Sequence, residues 1–352
     1  MKIIFTFLFS MLLTLPIQSQ AQTTEPAKIK EKDKTLVSVP VTVSDREGHY
    51  ISGLKKQDFA VYEDGVKQNI TFFGTFDEPL NIALLLDTSG STKDTLEKIK
   101  DAAKDFVGLL NPNDKCLIAT FDSQIKILNS LTSDQQTLKD SLDKVQTAAQ
   151  DGTILHNAVE QIAQKSFANV EGRKVIVVLS DGKDFGSSVT KNQLLNQLEE
   201  SDVLIYTIHY KTGEGFNNLI IAPDGMVKEG KESKPRKKKP QKKKKGYSVW
   251  IPAAAGVADD AEIEIREKKA DVEAVNALRE MSDTTAGRFY LSDTPQLKEV
   301  FKKVAGELRQ QYRLGYRSKD AVNDTSVHEI TVKVARSGAV VRTRGKFRAK
   351  QL

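Results

Sequence analysis

Three short segments of this chain concentrate oxygen-bearing side chains. Asp87-Thr88-Ser89-Gly90-Ser91 follows the apolar run LNIALLL, Asp151-Gly152-Thr153 precedes a helical pattern, and Ser180-Asp181-Gly182 follows VIVVL. Three kinds of role need such residues. A serine beside an acid could be a nucleophile, acids and hydroxyls together could cradle a hard cation, and Asp, Ser or Thr ahead of a helix could simply cap it. The nucleophile reading needs a base for Ser89 or Ser91. His49 and His328 fall in flanking β regions, His209 ends a strand without an evident acid, and His156 begins a helix. Phosphoryl transfer through Asp87 would want a second acid where Ser89 stands, and Gly90 alone makes no glycine-rich phosphate loop.

The elements that carry these segments alternate in type. LNIALLL reads as a strand covered on both faces, and LEKIKDAAKDFVGLL places Leu96, Ile99, Ala103, Phe106, Val107 and Leu110 on one helical stripe. The alternation continues through CLIATF, helices around Leu138-Leu142-Val145 and Leu155-Val159-Ile162, KVIVVLS, a helix near 190–200 and VLIYTIHY. A helix from about 271, the short strand RFYL and a helix near 295–311 complete it. The pattern predicts an α/β fold with a doubly wound, mostly parallel sheet over residues 80–311. Ligands of such sheets bind outside the carboxyl ends of the strands, and Asp87 and Asp181, each ending an apolar strand, project from that one edge.

β structure flanks this core. Residues 35–77 hold the alternating Val37, Val39, Val41 and Val43 and the hairpin signal FAVYEDGVKQNITFF, with its turn at Asp64-Gly65. Residues 312–352 hold YRLGYRS, VHEITVKVA and AVVRTRGKF. Two to four strands bury too little core alone, so the two segments are expected to join in one small β sandwich into which the α/β domain is inserted.

With order, spacing and element types on the page, residues 80–311 resemble the von Willebrand factor type A family, and the flanking DFAVYEDGVKQNITFF and QYRLGYR look like the bacterial VWFA-related proteins. The resemblance implies a metal-ion-dependent adhesion site made by Asp87, Ser89 and Ser91 of an Asp-x-Ser-x-Ser loop, with Thr153 and Asp181. It implies a divalent cation, Mg²⁺ foremost with Mn²⁺ or Ca²⁺ as alternatives, and a protein partner that supplies an acidic side chain; no small-molecule substrate or catalysis is expected. Hard cations take oxygen ligands, and two carboxylates with neutral hydroxyls leave such an ion electrophilic. The chain departs from many relatives at Asp151, where Gly is common, and at Asn157, where an acid is common. Asp151 would add negative charge near the ion, and Asn157 would weaken a hydrogen bond behind the ligands.

The chain of 352 residues has a net charge of +6, with a local +9 in KEGKESKPRKKKPQKKKK over residues 228–245. Removing that segment leaves a mildly acidic body of −3. Lys237, Lys238, Lys239, Lys242, Lys243, Lys244 and Lys245 are therefore candidate contacts for an anionic polymer or membrane surface, within an insertion at about 212–262. The tract is expected to overhang the metal edge as the tip of a hairpin between LIIAPDG and YSVWIP, steering acidic partners. Residues 1–21 read as a signal peptide cut near Ala21, followed by a polar spacer at 22–34, which predicts a secreted or periplasmic protein. The single cysteine, Cys116, excludes an internal disulfide framework and reads as a small buried hydrophobe. The sequence thus points to an exported, non-enzymatic, metal-dependent protein-binding module. A polyanion-binding envelope protein acting through the Lys-rich tract, or an envelope scaffold with no ligand at the metal, are the alternatives.

Overall fold

The computed structural model describes residues 36–75, 78–148, 152–210, 219–221, 227–229, 260–292, 296–318 and 326–348. The leader and spacer, Asp151, and Lys237 to Lys245 lie outside the described residues.

In β1 (Leu36–Ser44) the four valines point one way, and none is more than 1% exposed. A 3₁₀ turn at Lys56–Asp58 leads to β2 (Phe59–Glu63), β3 (Val66–Gln68) and β4 (Ile70–Gly74). Asp64 and Gly65 join β2 to β3 with φ of 48° and 78°, the doubly positive turn whose twist suits a tight hairpin.

The α/β part follows as β5 (Leu80–Asp87), α1 (Leu96–Gly108), β6 (Lys115–Phe121), β7 (Ile125–Ile127), α2 (Gln135–Asp143), α3 (Leu155–Gln161), β8 (Arg173–Ser180), α4 (Lys191–Glu199) and β9 (Val203–Tyr210). Next come β10 (Leu219–Ile221), β11 (Val227–Glu229), α5 (Asp260–Thr284), β12 (Phe289–Ser292) and α6 (Leu297–Leu308). The sheet order is β12-β9-β8-β5-β6-β7, parallel except for β7, which runs against β6. β5 lies at its centre, and Ile82 through Leu86 are wholly buried, which is why this strand is apolar without alternation. Leu84 and Leu86 face α1 and α6, where Phe106 and Phe301 meet at 5.0 Å. Leu85 faces the other layer, with Val159 of α3, Leu194 of α4 and Leu278 of α5. Cys116 is fully buried in β6, and burial pushes its thiol up to about 12, so it packs as an inert hydrophobe.

β13 (Gln311–Arg317), β14 (Val327–Val334), β15 (Val340–Thr343) and β16 (Lys346–Arg348) end the chain. Two four-stranded antiparallel sheets form, ordered β15-β1-β13-β4 and β16-β14-β2-β3. Each mixes strands from before and after the α/β core. Val39, Val61, Tyr312 and Ile330 belong to one shared apolar cluster, so neither flanking segment has a complete core of its own.

Several elements differ from the sequence reading. NITFF does not simply complete the hairpin: the chain breaks after β3, and β4 pairs with β13 in the other sheet. AVVRTRGKF likewise splits into β15 and β16, which join different sheets. α5 begins at Asp260 instead of about 271, because its first turns are rich in helix-favouring Glu, Ala and Lys and lack a clear apolar stripe. After β9, Leu219–Ile221 pairs with Val227–Glu229, a partner at the very start of the Lys-rich tract; YSVWIP, expected as the second strand, lies outside the described residues.

A buried acid ties the two parts together. Glu307, near the end of α6, is fully buried and accepts hydrogen bonds from Tyr50 (2.8 Å) and Tyr206 (2.9 Å). Arg288 Nε lies 3.0 Å from it, and Arg342 of β15 pairs with its other oxygen. Replacing Glu307 by Ala leaves two guanidiniums without this partner; urea unfolding should show a loss of about 3–5 kcal/mol.

Candidate metal centre

Parallel register decides which oxygens meet. β5 and β8 are adjacent and in step from Leu80↔Arg173 to Leu86↔Leu179, so their next residues, Asp87 and Ser180, arrive side by side. Ser180 Oγ donates to Asp87 Oδ2 at 2.7 Å and accepts from Gly182 N–H at 2.9 Å. Asp87 is fully buried and Asp181 is 1% exposed.

The first loop folds back on its own acid. Ser89 N–H donates to Asp87 Oδ1 at 2.9 Å, and Gly90–Thr92 forms a 3₁₀ turn closed by Thr92 N–H and Oγ1 on Ser89 O at 3.0 and 2.8 Å. That turn brings the Ser89 and Ser91 hydroxyls to 3.1 Å from one another. Ser91 Oγ then donates to Asp181 Oδ2 at 3.0 Å, closing a connection between strands β5 and β8. Ser91 is exposed while Ser89 is buried, so the cluster opens to solvent on the Ser91 side.

Thr153, 4% exposed, is held through its backbone: its carbonyl accepts from Phe185 N–H at 2.9 Å, and Ile154 N–H donates to Asp122 O at 2.9 Å. Thr88 bridges the same region, donating to Phe121 O at 2.9 Å and accepting from Ala148 N–H at 2.8 Å. The structure thus links Asp87, Ser89, Ser91 and Asp181 by direct side-chain or local bonds, and fastens the Thr153 segment to the loops after β6 and β8.

Two carboxylates share this confined space. Burial, and then the charge of Asp181, pushes the Asp87 carboxyl up to about 6 despite hydrogen bonds from Ser89 and Ser180. A cation among these oxygens would offset both costs. The donors are carboxylates and hydroxyls without imidazole or thiolate, the set suited to Mg²⁺, Mn²⁺ or Ca²⁺. On that chemistry the residues fit a hard divalent ion.

Other residues shape the edge, among them Asp184 and Tyr210, which the sequence did not single out. Asp184 accepts from His156 N–H at 2.9 Å and lies 3.0 Å from its ring. Burial alone would raise the Asp184 carboxyl, but the His156 and Ser187 hydrogen bonds hold it well below the usual range. His156 is thereby bound into the loop after β8. Asn157 lies in that same network, accepting from Val189 N–H at 3.0 Å and donating to Ser188 Oγ at 3.1 Å. It ties the first turn of α3 to the 184–189 loop. Tyr210, at the end of β9, has a buried hydroxyl raised well above its ordinary range by burial and by the charges of Asp87 and Asp181. No local motif marks these residues; only strand order brings them here.

The molecule is thus an α/β domain with a doubly wound sheet that gathers acids and hydroxyls from separate loops at its carboxyl edge, the place where ligands of such sheets bind. More particularly, residues 81–225 match the von Willebrand factor type A domain model. Curated proteins yield no significant match. Among solved structures, the aerotolerance-related membrane protein of Bacteroides fragilis is 18% identical over 66% of this chain and 99% of that one, at a TM-score of 0.42. Proximal thread matrix protein 1 of the mussel byssus, in a form with a zinc-occupied MIDAS motif, is 16% identical over 68% of this chain and 48% of that one, at a TM-score of 0.44. This chain therefore spans about half the length of the mussel protein. A von Willebrand factor type A protein from Catenulispora acidiphila is 12% identical over 83% of this chain and 72% of that one, at a TM-score of 0.44.

Gly182 is required where the β8 loop passes α5. Its φ is +81°, and an added Cβ would lie 2.6 Å from Ala274 O. Gly182→Ala should therefore cost roughly 1–3 kcal/mol of stability in urea unfolding, since both the backbone and the helix contact resist a side chain.

Proposed function

We propose that this chain is an exported, metal-dependent protein-binding module whose metal is held by Asp87, Ser89, Ser91, Thr153 and Asp181. Domains of this family generally mediate protein–protein interaction, and the observation that carries the reading here is the Ser91–Asp181 hydrogen bond. It joins the two acid-bearing loops across strands and leaves an exposed hydroxyl at the rim.

When bound, a divalent cation would supply an electrophilic position that accepts an oxygen ligand from outside. The chain's own residues do the rest. Ser180 and the Ser89 N–H orient the Asp87 carboxylate, Ser91 orients Asp181, and the buried strands exclude water from behind. No second carboxylate follows at position 89 and His156 is occupied by Asp184, which supports binding over catalysis. An acidic side chain of a partner protein is the complementary ligand, and Mg²⁺ is the ion we favour.

Titration calorimetry with Mn²⁺ or Mg²⁺ should detect one site, and Asp181→Ala should weaken it by at least roughly 100-fold, more than loss of a supporting group does. In capture experiments from envelope extract, Asp87→Ala and chelator should both abolish retention of the partner. Retention that survives both treatments but fails in high salt would instead favour polyanion binding through Lys237 to Lys245, the reading supported by the local +9 over residues 228–245. For export, the mature chain should begin close to Ala21, read by mass spectrometry of protein from the native compartment.

A further inference from the structure

At the edge of the sheet remote from the metal loops, the first residue of β8, Arg173, enters the seam between the α/β part and the β sandwich. It is 5% exposed. Its Nη2 donates to Leu308 O at 2.8 Å and to Gln311 Oε1 at 3.3 Å, but Nη1 is buried without a hydrogen-bond partner. Two further buried donors are in the same condition: Gln311 Nε2 and Arg313 Nε. All three residues line one cavity of about 20 Å³.

The charges around this cavity are unbalanced. Arg173, Lys174, Arg313 and Arg344 line it against Asp202 alone, and Lys174 Nζ already pairs with Asp202 at 2.9 Å. Arg344 is directed to the carbonyl oxygens of Ser201, Glu199 and Lys346. Arg313 Nη2 meets Glu78 Oε1 at 3.2 Å, but Glu78 is not among the lining residues. Burial lowers the affinity of the Arg173 guanidinium for its proton, the mark of a charge taken from water without full compensation.

The geometry points to a binding site for a single halide-sized anion, chloride in practice, held by Arg173 Nη1, Gln311 Nε2 and Arg313 Nε at the seam. The volume suits one small occupant. Three buried, unpartnered N–H donors on residues that share one cavity, together with its cationic lining, match an acceptor that has no hydrogens of its own to place. A water molecule accepts at only two positions and must itself find acceptors. Asp202 is the one carboxylate in the lining, and Lys174 already pairs with it. The anion would fasten β8 to β13 by charge, independently of the metal edge.

Two measurements test this on the full chain. In crystals grown with bromide replacing chloride, an anomalous peak is expected between Arg173 and Gln311; water-like density there without an anomalous signal would overturn the site. In solution, replacing gluconate by chloride at constant ionic strength should raise the melting temperature by roughly 2–4 °C when chloride is about tenfold above its dissociation constant. Gluconate is too large for the cavity. Gln311→Glu supplies a tethered negative charge in place of the ion, so this variant should melt at the same temperature in both salts and no lower than wild type in gluconate. Identical melting of the wild type in the two salts would refute the proposal, and so would a chloride response that persists undiminished in Gln311→Glu.

Discussion

The structure depends on keeping two carboxylates, Asp87 and Asp181, buried at one edge of a parallel sheet. That arrangement is electrostatically costly, as the raised Asp87 carboxyl records. It persists because the neighbouring strands are apolar throughout and locked in register, so the acids cannot withdraw without disrupting the core. Hydroxyls of Ser91 and Ser180 then satisfy part of their hydrogen-bonding capacity, and the Ser89 N–H satisfies another part. The same register that stabilises the sheet therefore creates the chemistry at its end.

The opposite edge solves a different problem, the joining of an α/β domain to a sandwich made from both of its flanks. Here the buried charges are mainly positive, and Glu307 is the principal compensation among the described residues that meet at α6. It draws Tyr50 from before the core, Tyr206 and Arg288 from within it, and Arg342 from after it onto one carboxylate. Only two residues separate α6 from β13, so the helix has little slack against the sandwich.

Much of this was legible in the chain itself. The uninterrupted LNIALLL and KVIVVLS runs announced covered strands, because a strand buried on both faces has no use for alternation. The valines of β1 announced a half-buried one, and Asp64-Gly65 marked its hairpin since that dipeptide tolerates positive φ. Identification of Asp87, Ser89, Ser91 and Asp181 as a group also came from sequence, through chain order and resemblance, and the structure brings these four together. Boundaries and partners were less readable. Charged residues extend α5 without an apolar stripe to show it, and breaks of one residue between β3 and β4 and of two between β15 and β16 send these strands to different sheets with no local mark.

What the sequence by itself determined is the order of elements and the residue types at their ends, because hydrophobic period and turn chemistry are local properties. Tertiary structure alone decided that Asn157 would tie α3 to the 184–189 loop, that Tyr210 would be buried near the acids, and that Arg173, Gln311 and Arg313 would share one cavity. Such groups are distant in the chain, and their energies arise from burial and mutual charge, which exist only once the strands have packed.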